Sequence, residues 1–277
     1  MMNKLTALHF ALLSFIFYMP AQALQITGTE EGEHEGEQTS FTEIYQNGHL
    51  VRLENGQLSY RYHDGECLLA DNKHAIYIES TCKEIAKEIK KQMAQQITAM
   101  QEKDKEVLAS AQKMKQMLQG KEGNIELKRT GASKINGFNT ISYTAGPSQY
   151  SISAELLSRI KNEIDYEGLL KAQQQLLDAY SQANSMFNIL ENKQNIESQL
   201  MAKGYLIRQI DSEAMNPAIL NILPPETRKA MMAEMGEGSV VLEVTSIENT
   251  KVNIATYKPS GRKVSISEYL NITMLDE

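Results

Sequence analysis

The chain has 277 residues, of which 42% are hydrophobic and 23% are charged, and its formal net charge at neutral pH is −7. This length is enough to bury one sizeable hydrophobic core. The acidic balance argues against a nucleic-acid-binding protein, because such proteins hold phosphates chiefly through basic patches.

The N-terminal segment has the features of an export signal. Lys4 gives a positive start, Leu5 to Tyr18 are apolar, and Ala21-Gln22-Ala23 supplies small residues of the kind an export peptidase cleaves after. The apolar run spans about fourteen residues, fewer than the roughly twenty of a membrane-spanning helix. We therefore predict a cleaved signal peptide over residues 1–23, a single mature domain over 24–277, and a periplasmic location; secretion or attachment to the envelope stays open.

An acidic stretch, "GTEEGEHEGE" over residues 28–37, follows the predicted signal peptide closely. Its glutamates at every second position would share one solvated face of an extended chain. Glycines between the carboxylates leave them unorganised, and the spacing matches no EF-type calcium loop. High charge without apolar residues cannot support a core, so a disordered tail or linker is one interpretation, and a specific cation site is a weaker alternative.

The next segment is typical of an antiparallel β-meander. "QTSFTEIYQ", "HLVRLE" and "QLSYRYHD" are separated by Asn47-Gly48 and Asn55-Gly56, and Asn-Gly is the strongest short-range hairpin signal. Strict alternation would place Leu58, Tyr60 and Tyr62 on one face. "ECLLA" and "HAIYIES" add another hairpin.

The chain has two cysteines, Cys67 and Cys82. An exported chain meets an oxidising compartment, so we predict that they form a disulfide. The spacing does not match a Cys-x-x-Cys redox pair, which makes a redox role the weaker interpretation. Two unbridged thiols stay open, because sequence does not give the distance between them.

A long helix is predicted over residues 82–119, where neither Gly nor Pro occurs until Gly120. Its apolar residues recur at steps of three and four, which places them in one narrow stripe. This stripe consists of Ile85, Ile89, Met93, Ile97 and Met100.

A second helical block is predicted over residues 155–203, with breaks near Asp165 and Ser185, and a short helix over "PETRKAMMAEM". The remaining strands are "NIELKR", "FNTISYT", "YSIS", "YLIRQI", "SVVLEVTSI", "KVNIATY" and "KVSIS". About ten antiparallel strands with helical insertions predict an α+β fold.

The order of several segments resembles a family of exported bacterial proteins of unknown function. They are "FTEIYQNGHLVRLENGQLSY", "GECLLADNKHAIYIES", "SKINGFNTISYT", "GYLIRQID" and "VVLEVTSIENTKVNIATYKPSG". That family is similar in turn to the periplasmic lipoprotein carriers of the LolA/LolB-like group. The resemblance implies a curved antiparallel sheet, an open half-barrel, with long helices packed on or across its concave face. In the carriers that face holds acyl chains. The resemblance also implies that "LQITG" and "QTSFTEIYQ" are the first two strands, which makes the acidic stretch over residues 28–37 the tip of a hairpin.

No catalytic centre is indicated by the residues. The chain lacks Gly-x-Ser-x-Gly, His-Glu-x-x-His and a phosphate-cradling Gly-rich loop. Its 14 methionines include "KMKQM" and "MMAEM", whose thioethers are ligands for Cu(I), although methionine also fills irregular core space. We predict no enzyme activity, no cofactor and no metal site.

Two functional hypotheses remain. In the first, a non-enzymatic envelope protein carries a lipid or lipoprotein acyl chain beneath the helix over 82–119, against the apolar stripe, and releases it when that helix moves. In the second, the core is packed solid, and the long helices bind a partner protein of the envelope.

Overall fold

The structure is a computed structural model, and it describes residues 22–32, 37–103, 126–146, 148–181, 196, 198–211 and 239–273. No helix in these ranges is long and apolar enough to cross a membrane. The predicted signal peptide lies outside them except for its last two residues. Ala23 is fully buried and pairs with Thr250, so the first strand begins one residue before the predicted mature start.

Twelve strands are present in the described ranges. They are β1 (Ala23–Glu31), β2 (Gln38–Gln46), β3 (His49–Glu54), β4 (Gln57–His63), β5 (Glu66–Asp71), β6 (Ile76–Thr81), β7 (Lys128–Ile135), β8 (Phe138–Ala145), β9 (Ser148–Ser153), β10 (Tyr205–Asp211), β11 (Ser239–Thr250) and β12 (Arg262–Lys263). The helices are α1 (Cys82–Lys103), α2 (Ala154–Glu163), α3 (Tyr166–Ser181) and α4 (Ile266–Thr273), with a 3-10 turn over Ile254–Thr256.

All twelve strands form one open sheet in the order β12-β6-β5-β4-β3-β2-β1-β11-β10-β9-β8-β7. Every pairing is antiparallel except that of β12 with β6. The predicted α+β class with a large antiparallel sheet is therefore confirmed. The long-range pairing of β1 with β11 joins the N-terminal meander to the C-terminal strands.

The three predicted Asn-Gly turns are present. In Asn47-Gly48, Asn55-Gly56 and Asn136-Gly137 the asparagines have φ of 51°, 49° and 49°, and the glycines 84°, 79° and 87°. Both residues of such a turn need positive φ to match the twist of the flanking strands. Asp64-Gly65 makes a fourth turn with φ of 46° and 81°.

The prediction that Leu58 shares a face with Tyr60 and Tyr62 is wrong. The register between β3 and β4 shifts after Arg52, which pairs with Tyr60, while Leu53 pairs with Leu58. One extra residue in a strand reverses the side-chain alternation beyond it. Leu58 consequently packs with Leu53 in a different cluster from Tyr62.

Three hydrophobic clusters hold the sheet. The main cluster joins α1, α2, α3 and α4 to inward residues of the central strands, including Ile26, Leu50 and Val244. A second cluster lies on the other side of the meander and contains Ala23, Ile44, Val51, Leu53, Leu58, Leu68 and Ile254. A third lies at the β8–β9 end, where Leu200 packs against Ile152.

The helical predictions agree with the structure where it describes them. α1 begins at Cys82 and is described to Lys103; the remainder of the predicted 82–119 segment lies outside the described residues. Within 155–203, α2 ends at Glu163, and α3 starts after Asp165, whose side chain accepts a hydrogen bond from the Gly168 N–H. The break predicted near Ser185 and the helix "PETRKAMMAEM" lie outside the described residues.

Three strand predictions are wrong in part. β7 runs over Lys128–Ile135 rather than "NIELKR". "KVNIATY" forms a 3-10 turn, because both edges of β11 are already paired, and Val252 and Tyr257 pack on the second cluster instead. "KVSIS" pairs only at Arg262–Lys263; Ser265 then accepts a hydrogen bond from the Glu268 N–H and starts α4.

Candidate functional site

The apolar stripe of α1 changes its environment along the helix. Ile85 and Ile89 are fully buried in the main cluster. Met93 is half-buried and packs against the same cluster. The side chains of Ile97 and Met100 lie outside what the structure describes. The first half of the stripe is therefore core, and accessible apolar surface begins at Met93.

A disulfide fixes the first residue of α1. The Cys67 and Cys82 sulfurs are 2.02 Å apart and both residues are buried, which confirms the predicted bridge. The Cys82 N–H also donates to the Gly65 carbonyl at 2.8 Å. The bridge ties the beginning of the helix to β5 of the meander.

A second contact holds α1 immediately before its accessible part. Gln92 is buried, and its Nε2 donates to Ser267 Oγ of α4 at 2.8 Å. α3 packs along α1 as well, and Leu169, Ala172 and Leu176 of α3 are buried in the main cluster. α1 is thus secured from Cys82 to Gln92.

A polar cluster around the buried Glu43 lies on the same side of the sheet as the helices. We call it the Glu43 cluster; it consists of Glu30, Glu43, Tyr45, Arg52, Glu54 and Tyr205. The Glu43 Oε2 accepts hydrogen bonds from the hydroxyls of Tyr45 and Tyr205, both at 2.6 Å. Its Oε1 accepts from Arg52 at 2.9 Å. A single carboxylate therefore links β2, β3 and β10.

Arg52 is the positive centre of this cluster. Its guanidinium contacts Glu30 at 2.5 Å and Glu54 at 3.1 Å in addition to Glu43, and it lies over the ring of Phe41 at 4.8 Å. Burial opposes its charge, but the three carboxylates, Glu43 foremost, outweigh burial and raise the pKa of Arg52. The hydrogen bonds and the nearby carboxylates thus compensate Arg52 for the water that it loses on burial.

The tyrosines around Glu43 are held neutral. Burial, followed by the charge of Glu43, raises the pKa of Tyr45 and of Tyr205 well above the ordinary value. The same two causes raise the pKa of Tyr166, at the start of α3, to about 12. Since Glu43 already accepts three hydrogen bonds, its chemistry here is that of a shared acceptor that joins strands.

The sequence analysis did not identify the Glu43 cluster. Glu43 stands between Phe41 and Tyr45 in the alternation of β2, so a charged residue occupies a position where the core-facing pattern requires an apolar one. A charged residue at a core-facing position was therefore the sequence feature that could have revealed the cluster. Its partners Arg52 and Tyr205 are far apart in the chain, and sequence did not connect them.

No group of three or more His, Cys, Asp or Glu is placed to hold a metal ion among the residues that the structure describes. The methionine-rich segments "KMKQM" and "MMAEM" lie outside those residues.

Comparison with known proteins gives no family. No protein-family model and no curated protein matches the chain. A solved structure, "Structure of PNGF-II in C2 space group", is similar with a TM-score of 0.36 and 11% identity; the match covers 92% of this chain and 33% of that one. This chain thus spans about a third of that protein, and a likeness of this degree carries no argument about function.

Proposed function

We propose that the protein is an exported, non-enzymatic envelope protein that binds an apolar ligand, a lipid or acyl chain, beneath the distal half of α1. The observation that carries the proposal is the change along the apolar stripe from fully buried at Ile89 to half-buried at Met93. The Cys67–Cys82 bridge supports export, because disulfides persist in oxidising compartments.

The proposal includes a sheet that is curved around the helices as an open half-barrel. Strand order separates β2 from β10 by β1 and β11, so three strand spacings, about 14 Å in a flat sheet, lie between them. Tyr205 nevertheless bonds to Glu43. Asn136, in the β7–β8 turn, likewise donates to the Val244 carbonyl of β11. Both contacts support a sheet that bends toward its helix-covered face.

In this mechanism α1 has a fixed and a movable part. The Cys82 bridge and the Gln92–Ser267 hydrogen bond secure its first half. Displacement of the helix beyond Met93 would open apolar surface for an acyl chain, whose burial contributes roughly 25 cal/mol per Å². Ligand release would need the distal half to move and would leave the core at Ile85 and Ile89 intact.

The test is native mass spectrometry on protein purified from a membrane-containing extract, followed by lipid extraction. We expect co-purifying lipid in the natural protein. Met93→Glu places a charge on the proposed contact and should remove the lipid, while Thr98→Glu makes the same charge change at an exposed position of α1 and should retain it. Circular dichroism checks that both variants fold. Natural protein that is consistently free of lipid would overturn the proposal.

A second candidate is an interaction module with a solid core. It is favoured by the complete burial of Ile85 and Ile89, because a solid core is what this candidate requires beneath the helix. Lipid-free protein that cross-links to a defined envelope protein through the exposed face of α1 would support this candidate. Lipid-bound protein, with the lipid lost in Met93→Glu, would reject it.

A further inference from the structure

Two histidines form a stacked pair at one end of the meander. His49 of β3 and His63 of β4 are directly opposite each other, with ring centroids 3.7 Å apart and planes inclined by 14°. Stacking at this distance is favourable for neutral rings. It places two positive charges in van der Waals contact when both rings are protonated.

The pair is connected to a helix end through the β2–β3 turn. The Nδ1 of His63 is 3.2 Å from the Gly48 carbonyl, which makes His63 the donor in its Nδ1–H form. The Gly48 N–H donates to the Glu163 carbonyl at 2.7 Å, at the last residue of α2. One turn residue therefore bridges the histidine pair and α2.

The surroundings disfavour a charge on His49. Its Nδ1 is buried and has no hydrogen-bond partner among the described residues. Burial, then His63, then Arg61 lower the pKa of His49, and Asp64 offsets part of this effect. Asp64 also has a carboxylate oxygen 3.7 Å from the His63 Nε2, and Glu66 is opposite His63 on β5. Glu163 of α2 contributes its backbone carbonyl to the Gly48 contact.

We propose that the His49–His63 pair is an acid-sensitive latch, which holds the β2–β3 turn against the end of α2 at neutral pH and releases it when both rings are protonated. When both rings are protonated, their repulsion breaks the stack. His63 then moves and draws Gly48, to which it is hydrogen-bonded, away from Glu163. Loss of the Gly48–Glu163 bond frees the C-terminal end of α2. The latch is independent of whether a lipid binds beneath α1.

The test is amide hydrogen exchange measured by NMR, expressed as protection factors so that the intrinsic pH effect cancels. In the natural protein we expect the protection of the Gly48 amide to fall several-fold between about pH 7.5 and about pH 5, the range in which histidine titrates. The Asn55 amide, which donates to Ser40 in the next turn, is the internal control and should keep its protection.

The decisive variant is His49→Phe, which keeps an aromatic ring in the stack and removes the charge. It should keep Gly48 protection at about pH 5, while His74→Gln, a histidine change outside the pair, should lose it as the natural protein does. If His49→Phe folds poorly, His49→Gln, which also removes the charge, is measured instead and should likewise keep Gly48 protection at about pH 5. Gly48 protection that is the same at both pH values in the natural protein would overturn the latch. So would a loss of Gly48 protection in the His49 variants equal to the loss in the natural protein.

Discussion

The Tyr205 hydroxyl donates a 2.6 Å hydrogen bond to Glu43 across two intervening strands. Neither side chain is long enough to cover three strand spacings, about 14 Å, in a flat sheet. The bond therefore supports the curved sheet proposed above. It also makes the Glu43 cluster the principal polar tie between the N-terminal meander and β10.

Removal of the Tyr205 hydroxyl should destabilise the protein. Tyr205→Phe deletes one hydrogen bond to a charged group and leaves the ring in place, so we expect a loss of about 1.5–3 kcal/mol in the free energy of unfolding. Urea denaturation measures it. Tyr143→Phe is the matched control, since no hydrogen bond of its hydroxyl is described, and it should change little. Equal effects of the two substitutions would contradict the role given to the Glu43 cluster.

Alkaline pH should unfold the protein through the same tyrosines. Their pKa is raised above the ordinary value of 10.0 by burial and by Glu43, so the folded state keeps them neutral while the unfolded state ionises. The stabilisation is complete below pH 10.0 and is lost as the pH rises toward the folded-state pKa, which for Tyr166 is about 12. Tyrosinate absorbance and circular dichroism should change together. Ionisation of all tyrosines in a folded protein would refute this expectation.

Gly28 is required by a close approach inside the sheet. A Cβ at this position would lie 2.4 Å from the Glu243 carbonyl oxygen and 2.5 Å from the ring of Phe41. Gly28→Ala should therefore cost about 1–3 kcal/mol through overpacking, measured by thermal or urea unfolding. Gly131→Ala in β7, where a Cβ meets nothing within 4 Å, should be near neutral. If the two glycines tolerated alanine equally, Gly28 would not be packed as described.

The disulfide should stabilise both the domain and the start of α1. The cysteines are 15 residues apart in the chain, and closing such a loop restricts the unfolded state. The double change Cys67→Ser and Cys82→Ser should lower the free energy of unfolding by about 3 kcal/mol in chemical denaturation. A reductant should lower the stability of the natural protein and leave the double variant unaffected. If full reduction of the bridge left the free energy of unfolding of the natural protein unchanged, the prediction would be contradicted.

Much of the local structure was predictable from short patterns. β2 and β3 have the predicted bounds, because each is delimited by a turn whose Asn-Gly residues adopt positive φ. α1 begins at Cys82, where the spacing between apolar residues changes from two residues to about four. Leu58 was assigned to the wrong face of the sheet, because the alternation of apolar and polar residues in β4 does not show the bulge. "KVNIATY" was misread as a strand because its β-forming residues dock on the second cluster instead.

The sequence by itself determined the turns, the disulfide partners, the start of α1 and the α+β class. Each of these depends on neighbouring residues or, for Cys67 and Cys82, on the absence of any other cysteine. The tertiary structure decided that β1 pairs with β11, that Glu43 meets Tyr205, and that Gly48 joins the histidine pair to α2. These contacts join residues far apart in the chain, and their partners are selected by the packing of the whole sheet, which no local pattern encodes.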